Sequence, residues 1–301
     1  VYRLEPAWSY STPDSGQMQT SPIIVDSILY GITPGIHAFA IHAGTGKEIW
    51  TFGDTLKKWS HVSRGVTYWE DGKDKRIFIG IGHHLHAIDA LTGKPVTSFA
   101  DGGKLDLRTG YPENALNKYV ISTTPPALFE NMLLLSVRLS EDTDAAPGDI
   151  RAFDARTGKL IWTFHTIPYP GEEGYETFPE SAHLNEESGA ANNWTGMAID
   201  TKRAMVFIPT GSTSYDFYGG NRKGQNLYAN SLIALDLRTG KKVWHFQTIH
   251  HDLWDRDLPA PPNLLTVKHN GKPIDAVAQV TKHGYVFLFS RDTGEPLFPI
   301  E

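Results

Sequence analysis

The 301-residue sequence contains no cysteine. That absence rules out disulfides, thiolate metal sites, iron–sulfur clusters and a covalently attached c-type haem on this chain, so an electron leaving it must pass to another module. Positive charge is also scarce: 28 Lys and Arg stand against 34 Asp and Glu, a formal net charge of −6. Without a basic stripe to neutralise phosphates, nucleic acid is not expected as a partner. No apolar run approaches the roughly 18–20 residues that a membrane-spanning helix needs. The opening Val1-Tyr2-Arg3-Leu4-Glu5 does not read as a signal peptide, as expected of a mature or trimmed chain. What is present, 40% hydrophobic and 21% charged residues, suits a globular protein with a sizeable core.

A repeat runs through the chain. Ala38-Phe39-Ala40-Ile41-His42-Ala43-Gly44-Thr45-Gly46-Lys47-Glu48-Ile49-Trp50 is echoed at Ala87–Lys94, Ala152–Trp162, Ala234–Trp244 and, more weakly, Leu288–Glu295. Successive Thr-Gly pairs lie 47, 65, 82 and 54 residues apart. Each unit reads as a strand, a tight turn with Gly where positive φ is easiest, and a second strand ending in an aromatic. Hairpins are thus expected near 37–52, 85–99, 150–164, 232–246 and 285–299, each preceded by further apolar runs such as Ile77–Ile79, Met132–Leu135 and Met205–Ile208. Four short strands per repeat make a blade, and radially repeated blades make an all-β propeller of four-stranded antiparallel sheets. The tryptophan five residues after the Thr (Trp50, Trp162, Trp244) is read as a wedge between blades, with Thr97 and Phe298 in its place elsewhere. Pro6–Tyr10 reads as an outer strand without its own hairpin, so residues 1–301 are expected to form one incomplete propeller of about four to five blades. Pro-, Gly-, Glu- and Asn-rich insertions fall at 100–120 and 166–193, of the length that often carries function.

Between the fourth and fifth hairpins stands His250-His251-Asp252-Leu253-Trp254-Asp255-Arg256-Asp257-Leu258-Pro259-Ala260-Pro261-Pro262. Its prolines forbid a regular strand, and its carboxylates and imidazoles are the groups that accept a proton from a hydroxyl or hold a hard cation. Read alone, such a segment is usually just a solvated acidic turn.

That segment, following an Ala-Leu-Asp-x-x-Thr-Gly-Lys-x-x-Trp hairpin, resembles the PQQ-dependent alcohol and glucose dehydrogenases, most closely the membrane-bound quinoprotein glucose dehydrogenases. The resemblance covers the whole chain but only the N-terminal part of that family's eight-bladed propeller. It implies Asp255 as the catalytic base and Trp194, in Asn192-Asn193-Trp194-Thr195-Gly196, as the tryptophan on which the quinone ring rests. Thr123 matches a quinone contact and Glu141, 18 residues on, a ligand for Ca²⁺ or Mg²⁺. Lys282 and Arg64 match cationic quinone contacts, Gln19 a polar one, and His61 a substrate-site histidine. Asp255 joins the metal ligands, and Ser212 stands where the alcohol enzymes carry an Asn ligand, a departure that weakens the metal site. The lack of adjacent bonded cysteines agrees with the glucose-type subgroup.

The resemblance therefore implies oxidation of a sugar or alcohol hydroxyl, with hydride passing to the quinone C5 and electrons to a quinone or cytochrome c acceptor. It further implies a periplasmic location, and either C-terminal blades or a companion chain to complete the ring. A different class, a non-catalytic propeller scaffold of the bacterial envelope, explains the repeat equally well but not the 250–262 loop.

Overall fold

The computed structural model describes residues 3–53, 62–184 and 188–300. They divide into two compact units, one of Val1–Leu107 with Ile121–Pro126 and Ala155–Gly158, the other of Arg108–Val120, Ala127–Asp154 and Lys159–Glu301. Strand dominates both. Among the described residues the only α-helix is the single turn Glu180–Leu184, so no helix is long and apolar enough to cross a membrane.

The first unit holds two antiparallel sheets of four strands in chain order: Ile23–Val25, Ile28–Ile32, Ala38–His42 and Glu48–Phe52, then Thr67–Asp71, Asp74–Ile81, His84–Asp89 and Lys104–Asp106. The second unit holds two more. One is built from Ala127–Phe129, Met132–Leu135, Ile150–Asp154 and Leu160–Phe164, the other from Ala198–Asp200, Met205–Pro209, Ser231–Asp236 and Lys242–Gln247. It also contains a three-stranded sheet of Asn263–His269, Lys272–Val280 and Val286–Ser290. These are the expected blade-type sheets, and the inner strands are buried on both faces, as in Met205–Pro209 and Ser231–Asp236.

The repeat's residues explain its geometry. Each Trp of a hairpin faces a small residue across the ladder, Trp50 opposite Ala40, Trp162 opposite Ala152 and Trp244 opposite Ala234, and the register shifts immediately after that alanine. The bulge swings the indole out towards the following repeat. There its Nε1–H donates to a backbone carbonyl: Trp50 to Ala90, Trp162 to Leu237 and Trp244 to Arg291, at 2.8–2.9 Å. The acceptor always lies three residues before the Thr-Gly glycine, over which the ring is packed. A Cβ on Gly93, Gly240 or Gly294 would come within 2.6–2.8 Å of the indole. With φ near +70° as well, these positions admit glycine alone without strain.

Three details differ from expectation. Pro6–Tyr10 forms no strand, yet Trp8 behaves as a docking tryptophan, donating to Ala43 O at 2.9 Å and covering Gly46. In the second repeat the outermost strand is Lys104–Asp106 instead of the residues just after the turn, because Pro95 makes an isolated bridge to Ile88 and lacks the N–H to continue a ladder. There Ala100, not Thr97, covers the next glycine, Gly158, and its N–H donates to Thr157 O at 3.0 Å. Pro296 interrupts the fifth hairpin in the same way, bridging Phe289 without a strand.

Candidate active site

In the second unit, the loop after Lys242–Gln247 is organised by Asp252, a buried carboxylate. Its Oδ1 accepts the Trp254 N–H at 3.0 Å, and its Oδ2 accepts the Arg256 N–H at 2.5 Å, the Ser212 hydroxyl at 2.5 Å and Asn230 Nδ2 at 3.0 Å. Burial alone would push this carboxyl up, but the donors from Ser212, the two backbone N–H groups and Asn230 outweigh it and hold it below the usual carboxylate range. The wrapped turn leaves Asp255 at φ +53°, where few non-glycine residues settle. From there Asp255 is partly exposed and Lys282 Nζ donates to its Oδ1 at 2.7 Å. Burial disfavours a charged Lys282, yet the hydrogen bond to Asp255 and the charges of Asp257 and Asp255 raise its pKa.

The Trp194 Nε1–H donates to Asp257 Oδ2 at 3.0 Å, and Asp257 Oδ1 takes the Ser212 backbone N–H at 2.6 Å. The Ser212 hydroxyl donates to Asp252 and accepts from Asn230 Nδ2 at 3.1 Å, which leaves it one lone pair. Glu141 is 75% exposed, with Arg138 at 3.9 Å. It nonetheless belongs electrostatically to the same cluster: Asp216, between the strands that flank Ser212, is pushed up to about 7 by burial and by the negative charges of Asp257, Asp255 and Glu141. Hydrogen bonds and ion pairs thus bring Trp194, Ser212, Asp255 and Lys282 to one region of the second unit, and Glu141 reaches it only through its charge.

The expected first-unit residues form their own array. The Arg64 N–H donates to Thr123 O at 2.9 Å, Arg64 Nη1 donates to the Thr123 hydroxyl at 2.9 Å, and the Ser21 N–H donates to Arg64 O at 2.9 Å. Gln19 is exposed two residues before Ser21. Arg64 and Thr123 are therefore a bonded pair, with Gln19 on the neighbouring segment. His61 lies outside the described residues.

A hard cation suits this chemistry. The acidic groups offer only oxygen, and burial together with their repulsion pushes Asp216 towards protonation, a repulsion that a divalent ion would relieve. Among the described residues no three His, Asp or Glu side chains converge as a ready-made cage, so a cation here needs further oxygens from a bound cofactor or solvent. Sequence reasoning missed Asp216, Asp252 and the pairing of Asp257 with Trp194. Asp252 and Asp257 were visible as carboxylates of the motif; for Asp216, in Ser214-Tyr215-Asp216-Phe217-Tyr218, no spacing signalled its place in the cluster.

The family described as "PQQ: Glucose/ethanol/alcohol dehydrogenase, beta-propeller domain" matches residues 1–301. The quinoprotein glucose dehydrogenase of Escherichia coli (strain K12) is 33% identical over 326 residues, covering 99% of this chain and 40% of that protein. Quinoprotein glucose dehydrogenase A of Acinetobacter calcoaceticus is 31% identical, covering 100% and 41%. Among solved structures, the quinohemoprotein alcohol dehydrogenase ADHIIG of Pseudomonas putida HK5 superposes with a TM-score of 0.83 at 27% identity, covering 97% of this chain and 43% of that one. The chain spans about 40% of the length of the curated relatives it matches.

Proposed function

The chain belongs to the PQQ glucose/ethanol/alcohol dehydrogenase β-propeller family, and from that premise we propose that it forms the catalytic part of a quinoprotein dehydrogenase acting on a sugar or alcohol hydroxyl. The single observation that supports this most is the Asp255–Lys282–Asp257–Trp194 chain of contacts, which puts a partly exposed carboxylate, a cation and an indole in one place. PQQ, when bound, supplies the hydride acceptor. Everything else is the work of side chains. Trp194 offers the ring on which the quinone rests, and Lys282 a donor for its oxygens. Asp255 takes the substrate hydroxyl proton on a carboxylate oxygen, since it is exposed enough to reach solvent and substrate. Lys282 holds positive charge where negative charge develops during the reaction. Glu141, Asp255 and Ser212 would hold Ca²⁺ or Mg²⁺, which supplies a polarising charge.

With no cysteine in these residues to attach a c-type haem, electrons pass on to a quinone or cytochrome c acceptor outside them, in keeping with a periplasmic enzyme completed by further blades or a companion chain. The test is reconstitution of the intact polypeptide with PQQ and Ca²⁺. Uptake of the cofactor with bleaching of an artificial electron acceptor in the presence of glucose or ethanol is expected. A chain that takes up no PQQ, with or without the metal, would refute the assignment.

A further inference from the structure

Asp257 lies two residues beyond Asp255, but its environment is different. Its side chain is 14% exposed against 40% for Asp255. Each of its oxygens is engaged by a fixed donor: Oδ1 by the Ser212 N–H at 2.6 Å, Oδ2 by the Trp194 indole N–H at 3.0 Å, with Lys282 Nζ also 3.4 Å from Oδ2. The backbone makes room for it, since a Cβ on Gly211 would approach Asp257 Oδ1 to 2.7 Å. The indole partner is also unusual for this chain. Trp8, Trp50, Trp162 and Trp244 all give their indole N–H to backbone carbonyls, whereas Trp194 gives its own to a carboxylate. At 3.0 Å this bond is no shorter than the others, but a carboxylate acceptor makes an indole hydrogen bond about twice as strong as a neutral one, so ring tilt is restricted more tightly.

We propose that Asp257 is a positioning residue that sets the plane of the Trp194 ring and the reach of Lys282, tying both to the loop that carries Ser212. This rests on the reading of Trp194 and Lys282 as quinone contacts. A largely shielded carboxylate with both oxygens occupied is badly placed to take a substrate proton, so Asp257 acts through Trp194 and Lys282 and leaves the base's role to Asp255. Removing it frees the indole to tilt, and the quinone then loses a preorganised surface.

Two readouts test this in the intact polypeptide, one without cofactor and one with PQQ. In the apoprotein the Trp194 indole ¹H–¹⁵N resonance, assigned by its disappearance in Trp194→Phe, is expected to move upfield in Asp257→Asn, because the charged acceptor is gone. Asp257→Asn keeps an amide oxygen for the Ser212 N–H and so spares the loop. In PQQ titrations followed by absorbance, Asp257→Asn and Trp194→Phe are each expected to weaken binding about tenfold, the scale of one charge-assisted hydrogen bond. Their double variant should fall well short of the product of the two losses. If Asp257→Asn does not fold, Trp194→Phe probes the same contact from the indole side. An unmoved resonance, or losses that simply multiply, would overturn the proposal. A wild-type chain that binds no PQQ would overturn the functional reading instead, and the apoprotein resonance would still decide whether Asp257 holds the indole.

Discussion

Asp255 and Asp149 are carboxylates of the same unit with opposite surroundings. Asp255 is partly exposed and paired with Lys282, an arrangement that leaves an acceptor oxygen reachable. Asp255→Asn cannot accept a proton, so turnover of the reconstituted enzyme is expected to fall by about 10²–10⁴, while PQQ affinity stays within a few-fold; single-turnover reduction of the cofactor measures the first and titration the second. Asp149 is almost wholly buried, and its Oδ1 has no hydrogen-bond partner among the described residues. Burial pushes it up to about 6, against the pull of His165, Arg151 and the Thr166 N–H. Its folded pKa thus lies above the unfolded reference of 3.8, so between those values the native state holds a proton that the unfolded chain has released. Stability from this group is greatest below the lower value, declines as pH rises through about 6, and is flat above. Asp149→Asn is therefore expected to leave stability at pH 4 nearly unchanged and to raise it by roughly 2–3 kcal/mol at pH 7.5, as read from urea midpoints at the two pH values.

At the scale of the element, the docking hairpin has two requirements that one glycine meets together. Gly240 needs φ +69° and leaves space for Trp162, to which a Cβ would approach within 2.6 Å. Gly271, in the turn between Asn263–His269 and Lys272–Val280, needs φ +79° but has nothing within 4 Å of its Cβ position. Substitution by Ala should separate the two demands. Gly271→Ala is expected to cost about 1 kcal/mol, the penalty of positive φ alone. Gly240→Ala should cost about 3 kcal/mol or more, because it adds displacement of the indole and loss of its bond to Leu237 O. Equal losses in chemical unfolding would mean that Trp162 yields without penalty.

For the molecule as a whole, one exposed apolar surface lies on the three-stranded sheet. Tyr285, Val286, Phe298 and Ile300 are exposed there around a hollow of about 290 Å³, beside the edge strand Val286–Ser290. An apolar patch beside a strand edge that only the short bridge from Pro296 and the Leu297 N–H partly cover promotes association. The chain of these 301 residues, prepared alone, is expected to self-associate at micromolar concentration, and Val286→Lys with Phe298→Glu should shift it towards monomer in sedimentation velocity. Unchanged sedimentation would show that this edge makes no contact between copies.

Much of the architecture was legible in the sequence because it repeats. Thr-Gly at a turn and Trp five residues on are local demands, and they specify hairpins and docking wherever the chain places them. The blade-type sheets, the loop character of 250–262 and the family all follow from such short-range patterns and from the motif's spacing. Pro95 and Pro296 were visible too, but their effect on the second and fifth hairpins depended on whether a ladder needed the missing N–H. The active region is another matter. Asp216 acquires its raised pKa first from burial and then from carboxylates 39 and 41 residues ahead and from Glu141, 75 residues behind. Asp257 meets the Trp194 indole across 63 residues. Only the tertiary structure decided these pairings, because a carboxylate's chemistry is set by which charges and donors surround it in space, and the order of residues along the chain does not contain that information locally.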